Sequence, residues 1–288
     1  MAEANWSRRG FVGLMAAGGI GLASGGALAQ ADGVLERVRK AGVIKIGMTN
    51  GLPYSLLNPD GSVDGVAPTL VKTVMARLGV PKVEGIVGSY GQLIPGLLAG
   101  RWDMVGADMT ITKERCEQVT YCDPFTVDYA AYVYLPGAFA SPPKSLKEMG
   151  QRKIKLAMLA GTYNLKVVQS FYEKPDEFIA TYPDTNSILE AVTAKRAEIG
   201  CTGIVLIKEV LKGKPGAFEH VDPMPDDLLS PGSAAFRPGD TDLITAFKAE
   251  FQKMKKSGEW QKIIGTFGFE ISPRTENMTA EQACSGTV

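Results

Sequence analysis

The chain has 288 residues, 45% of them hydrophobic and 22% charged, with 31 basic side chains against 31 acidic ones. That is an ordinary soluble globular composition, and the zero net charge speaks against a nucleic-acid partner, which calls for a basic excess or stripe. One histidine, His220, and no H-E-x-x-H, C-x-x-C or G-x-x-x-x-G-K segment leave little scope for a catalytic triad, a zinc site or a phosphate loop. No catalytic residue, metal or cofactor is therefore expected.

Residues 1–31 read as an export signal. Arg8 and Arg9 precede an uncharged, glycine-rich apolar run from Phe11 to Leu28, and Ala27-Leu28-Ala29 or Ala29-Gln30-Ala31 offers a small-x-small cleavage site. Ser7-Arg8-Arg9-Gly10-Phe11 resembles the twin-arginine signals, although the pair also fits the basic flank of a general secretory signal. No later stretch reaches the ~18 apolar residues that cross a bilayer. No cysteine stands at the cleavage point to carry a lipid. A freely diffusing periplasmic protein is the expectation. Cys116, Cys122, Cys201 and Cys284 could pair there in three complete ways, and their spacing does not choose among them.

Asp32–Lys40 reads as a short lead-in helix and Val43–Gly47 as a strand. Asn58-Pro59-Asp60-Gly61 is turn chemistry. A helix is predicted to open at Pro68, bury Leu70, Val71, Val74 and Leu78, and close at Gly79. Val83–Val87 is a second strand. Ser89 then caps a helix that buries Leu93, Ile94, Leu97 and Leu98 and stops at Gly100, and Met104–Ala107 is a third strand. This β-α-β-α-β run implies a mostly parallel sheet with helices on both faces. Ligands in such sheets sit at the carboxyl ends of the strands, where residues 47–54 and 107–115 fall.

After the aromatic run Tyr129–Leu135, Pro136, Gly137, Pro142 and Pro143 break the pattern as at a domain boundary. A second α/β series starts at Ile154–Met158. It continues through the loop Gly161-Thr162-Tyr163-Asn164, a helix over Val167, Val168 and Phe171, a helix at Ile188–Ala194, and a strand and helix start within Ile199–Ile207. Residues 223–231 are again rich in breakers. Asp240–Gly258 is an amphipathic helix with Leu243, Phe247, Phe251 and Met254 on one face. Two α/β lobes follow, the second inserted into the first: residues 32–133 with 234–288, and residues 134–233.

Four positions carry candidate chemistry. Arg115 is either a solvated loop residue or a bidentate clamp on a carboxylate, helped by the Thr110 hydroxyl and nearby backbone donors. Tyr54 and Tyr90 either pack on an adjacent helix or form aromatic walls, which can hold a cation. Asp108 is either a turn or capping aspartate or the partner of a ligand's ammonium or amidinium.

Met109-Thr110-Ile111-Thr112-Lys113-Glu114-Arg115 resembles a signature segment of the solute-binding proteins of polar amino-acid ABC transporters. Asp64-Gly65-Val66-Ala67-Pro68, Leu93-Ile94-Pro95-Gly96-Leu97, Gly100-Arg101-Trp102-Asp103, Gly161-Thr162-Tyr163-Asn164 and Ser257-Gly258-Glu259-Trp260 extend the similarity from Val43 to about Gly268. The resemblance implies a periplasmic-binding-protein clamshell joined by two hinge strands, with crossings near Tyr132–Leu135 and Ser233–Arg237. It implies a monomer that hands a small zwitterion to a membrane permease. Arg115 and the Thr110 backbone would hold the ligand carboxylate, with Met109 also in the site, Tyr54 and Tyr90 would line the first lobe, and Thr162, Tyr163 and Asn164 would close from the second.

Amino-acid binders of this type carry acids for the ammonium in the first loop and at the position of Gly203. This chain has neither, so Asp108 is expected to supply the charge, or the ligand to lack an ordinary ammonium. Tyr90-Gly91, Glu114-Arg115-Cys116, Ala234-Ala235-Phe236-Arg237 and a late cysteine are most similar to the ectoine-binding branch, with Gly51 and Thr110 as departures. That similarity implies a Cys116–Cys284 disulfide. The same fold also suggests an alternative, an enzyme resembling periplasmic cyclohexadienyl dehydratases, with Asp108 as its acid.

Overall fold

The computed structural model describes residues 33–224, 229–271 and 273–286. The predicted export signal lies outside the described residues.

The first lobe starts with helix α1 (Val34–Ala41), which turns its Leu35 and Val38 inward and stops at Gly42, in the left-handed region at φ 68°. Strand β1 (Val43–Met48), helix α2 (Val66–Arg77), strand β2 (Lys82–Val87), helix α3 (Tyr90–Leu98) and strand β3 (Met104–Thr110) follow. β1 pairs in parallel with β2 on one side and β3 on the other, as the alternation predicts. α2 opens two residues before Pro68. Gly65, at φ 101°, provides the entry, and Pro68 falls in the first turn, where its missing N–H is not needed. β3 runs three residues beyond the expected Ala107, because the antiparallel strand β8 (defined below) holds it as far as Thr110.

Two long strands join the lobes. Strand β4 (Thr126–Tyr134) and strand β8 (Leu229–Phe236) pair with each other over residues 126–129 and 229–232. β8 then continues along β3 in the first lobe. β4 continues along strand β7 (Ile199–Gly203) in the second, pairing from Ala130 to Val133. Strand β5 (Leu156–Leu159) adds in parallel to β7, and strand β6 (Ile179–Tyr182) to β5. The main path is β2-β1-β3-β8-β4-β7-β5-β6.

The crossings therefore lie earlier than expected. The first-lobe core runs to Val127 and resumes at Ala234, whereas Ala130 and Tyr132 pack in one second-lobe core and Ala131 and Val133 in another. Residues 130–133, expected in the first lobe, belong to the second. The aromatic residues mark only the later part of this strand, whose pairing begins at Thr126.

After β3 comes the short helix α4 (Lys113–Cys116). In the second lobe lie helices α5 (Tyr163–Gln169), α6 (Thr185–Thr193) and α7 (Ile204–Gly213). Helix α8 (Thr241–Ser257) returns to the first lobe and buries Leu243, Phe247, Phe251 and Met254, the predicted face. Helix α9 (Glu259–Thr266) buries Trp260, whose indole N–H donates to the Phe125 carbonyl at 2.9 Å. Helix α10 (Ala280–Ser285) is bound to α4 by the Cys116–Cys284 disulfide, the pairing implied by the resemblance. Cys122 and Cys201 are buried free thiols. No described helix is long and apolar enough to cross a membrane.

Candidate functional site

A cavity of about 70 Å³ lies between the lobes at the carboxyl ends of the first-lobe strands. A water needs roughly 10–15 Å³ on this measure, so the space suits a small solute and no peptide. Tyr54, Tyr90, Asp108, Thr110, Arg115, Thr162, Tyr163 and Asn164 all line it. Of the nine expected residues, only Met109 does not. Side chains alternate along a strand, so Asp108 and Thr110 face the cleft while Met109 is fully buried in the first-lobe core.

Asp108 sits inside β3 rather than at its end, in left-handed backbone at φ 50°. Gly232 on β8 makes room for it: a Cβ there would lie 2.6 Å from the Asp108 carboxyl carbon. Asp108 Oδ2 accepts a 2.6 Å bond from the Thr126 hydroxyl, whereas Oδ1 is buried and bonds no described protein group. Burial pushes its pKa up to about 7, with the Thr126 bond opposing and the charge of Asp128 adding to the rise.

Arg115 Nη1 donates to the Thr110 carbonyl at 2.8 Å, and Nη2 reaches the Gly161 carbonyl of the second lobe at 3.3 Å. Thr110, Gly161 and the Tyr121 hydroxyl thus brace the guanidinium, which carries five N–H groups in all. The Thr112 hydroxyl fixes the turn below by accepting from the Arg115 N–H at 3.3 Å. Gly161, at φ 74°, lets the second-lobe loop approach the backbone of Gly91 closely.

The second-lobe loop is shorter than expected, since α5 already starts at Tyr163. Thr162 is its N-cap: the hydroxyl accepts from Leu165 N–H at 3.3 Å and donates to the Leu159 carbonyl at 3.0 Å. Its hydroxyl therefore serves the helix end first. Tyr163 and Asn164 occupy the first helical turn, and Asn164 Oδ1 accepts from the Ser230 hydroxyl of β8 at 3.2 Å.

The aromatic walls differ from one another. The Tyr54 ring packs 5.8 Å from Phe269, and its hydroxyl donates to the carboxylate of Asp128. Burial raises the Tyr54 pKa well above its ordinary value, reinforced by Asp128. Tyr90 is pushed up to about 12, again chiefly by burial.

Asp128 is the main residue that the sequence reading missed. It lines the cavity from β4 where that strand crosses between lobes. The signal was an acid inside the apolar run Thr126–Tyr134, an expensive choice for a buried strand without partners. Its Oδ1 accepts from Tyr129 N–H at 2.8 Å. Burial pushes its pKa up to about 6, while the bonds from Tyr54, Tyr129 and Val205 oppose the rise.

Two α/β lobes on crossing strands, with a cleft lined by an arginine and two buried acids, are the architecture of a receptor for a small solute. The chain belongs to the bacterial extracellular solute-binding proteins, family 3, whose family model matches residues 44–270. It is 28% identical over 263 residues to a probable amino-acid ABC transporter periplasmic-binding protein of Sinorhizobium fredii, covering 87% of this chain and 86% of that one. The crystal structure of EhuB in complex with hydroxyectoine superimposes with a TM-score of 0.82 at 30% identity, over 87% of this chain and 97% of that one. An ancestral amino acid-binding protein, AncCDT-1, described as a precursor of cyclohexadienyl dehydratase, gives 0.72 at 25% identity, over 83% and 100% of the two chains.

Proposed function

We propose that this protein is the periplasmic receptor of an ABC importer and binds a small carboxylated zwitterion, an amino acid or an ectoine-like compatible solute, between its lobes. The observation that carries the reading is the pair of opposite charges that line one cavity. Arg115 is braced with donors to spare, and Asp108 holds a buried oxygen with no described protein partner. The ligand carboxylate would lie on the guanidinium and its cation against Asp108, between Tyr54 and Tyr90. Closure would be favoured because the ligand touches both lobes, which binds the closed state better than the open one.

The relatives support this class, since the Sinorhizobium protein is named for amino-acid transport and EhuB was solved with hydroxyectoine. The receptor acts as a monomer, with a membrane permease as its macromolecular partner and no role for nucleic acid, metal or cofactor. An enzyme on this fold is the second reading. The raised pKa of Asp108, about 7, and of Asp128, about 6, favour it, but the AncCDT-1 relative is itself described as an amino acid-binding protein.

Calorimetric titration with L-amino acids, ectoine and hydroxyectoine tests the proposal. Saturable one-to-one binding of one of them is expected. Absence of heat with every one of them, or turnover of prephenate or arogenate, would overturn it.

A further inference from the structure

Asp108 is not the only carboxylate in the cleft. Asp128 lines the same cavity, is 5% exposed, and stands at the strand crossing where both lobes meet. Its position depends on a glycine of the second lobe. A Cβ built on Gly203 would lie 2.2 Å from Asp128 Oδ2 and 2.2 Å from the Tyr54 hydroxyl. No real side chain tolerates such distances. Any residue other than glycine at 203 must displace both the carboxylate and the phenol that bonds it.

We infer that Asp128, seated over the bare Cα of Gly203, is a specificity-determining residue that restricts the solute to one whose cation carries N–H donors on more than one edge. The inference rests on the zwitterion reading and narrows it. The charges in the cleft are Arg115 against two aspartates. A carboxylate on Arg115 leaves two acids to be satisfied by the cationic end. Each ionised carboxylate oxygen has two acceptor positions. Tyr54 takes one on Asp128 Oδ2, Tyr129 one on Oδ1 and the Val205 N–H a third, which leaves one of the four acceptor positions for the solute. A planar amidinium or guanidinium presents N–H groups on separate edges and can meet Asp108 and Asp128 together. A quaternary ammonium has no N–H group at all and would add no donor to either acid beyond those the protein supplies.

The test is calorimetry with three probes, hydroxyectoine, L-arginine and glycine betaine, on the wild type, Asp128→Asn, Gly203→Ala and the double variant Asp128→Ala/Gly203→Asp. The wild type is expected to prefer hydroxyectoine or L-arginine to glycine betaine. Asp128→Asn should weaken the preferred probe about 30-fold, in the range of a lost charged hydrogen bond, and leave glycine betaine within about threefold, so the preference collapses. Gly203→Ala should do the same, and decides the matter if Asp128→Asn fails to give a cooperative thermal transition. The double variant moves the acid from one lobe to the other and should bind the preferred probe more tightly than Asp128→Ala alone.

A merely structural Asp128 would change all three affinities by one factor and leave the preference intact, which overturns the inference while the receptor reading stands. A wild type that binds none of the three, and none of the L-amino acids or ectoine either, overturns both.

Discussion

Asp108 and Thr126 share a 2.6 Å hydrogen bond beneath the cleft, between adjacent segments of the first lobe and the hinge. That single bond anchors a carboxylate whose other oxygen is buried and bonds no described group. The arrangement suits function better than stability, and two consequences can be measured separately.

The first concerns stability. The folded pKa of Asp108 is raised to about 7 from 3.8, mainly by burial. A raised acid contributes stability that is fully present below its unfolded pKa and is lost as pH climbs through the folded value. The ligand-free protein should lose stability from this group between about pH 4 and pH 7. Asp108→Asn should then unfold at a higher temperature than the wild type at pH 8, by an equivalent of ~4 kcal/mol at most. The two should be close at pH 4. Thermal unfolding at both pH values checks this, and equal melting temperatures at pH 8 would argue against a buried, costly carboxylate.

The second concerns proton linkage in binding. A cation set against Asp108 favours its charged form, so binding should release protons near neutral pH. Affinity should rise from pH 5 to about pH 7 and level off above. Asp128, raised to about 6, adds with the same sign. Calorimetry in two buffers of different ionisation enthalpy at pH 6.5 should show a net release. Proton uptake would reverse the assignment of Asp108 as the cation partner.

Arg115 should dominate affinity. Its guanidinium is held by Thr110 and Gly161, one from each lobe. Arg115→Ala should weaken binding by ~2–5 kcal/mol, because a bound carboxylate would be left unpaired. Lysine at this position should recover only part of the loss, since it lacks the planar fork. An unchanged dissociation constant in Arg115→Ala would remove the residue from the site.

The disulfide should matter to the fold and, through Arg115, to the site. Cys116 follows Arg115 directly and ties α4 to the C-terminal helix across 168 residues of chain. Loop-closure entropy puts the stabilisation at up to ~5 kcal/mol. Cys116→Ser/Cys284→Ser should lower the denaturant midpoint and weaken ligand binding together. The exposed Glu114–Lys166 pair across the cleft mouth, by contrast, is screened by solvent, and its removal should leave the denaturant midpoint unchanged.

Much of this was legible in the sequence, and the failures share a cause. The alternation of apolar runs and breakers gave the β-α-β-α-β half-sheet and the face of α8, because those patterns are local. The Thr110–Arg115 segment marked two residues that line the cavity for the same reason. What the sequence hid was set by partner strands. β3 continues to Thr110 because β8 pairs with it, so Asp108 lies within a strand and Met109 turns into the core. The crossings fall at residues 129–130 and 232 because pairing partners change there, while the composition shift comes later, at Pro136. Asp128 could not be placed near Tyr54 and Gly203 from spacing, since 74 residues separate it from the tyrosine that bonds it.

The most direct test of the central claim is native mass spectrometry of the protein purified without ligand removal from the periplasm of its own bacterium. A single small adduct is predicted, carrying one carboxylate and one N–H-bearing cation. It should be present on the wild type and absent from both Arg115→Ala and Asp108→Asn. An adduct lacking a carboxylate, or one retained by both variants, would contradict the account.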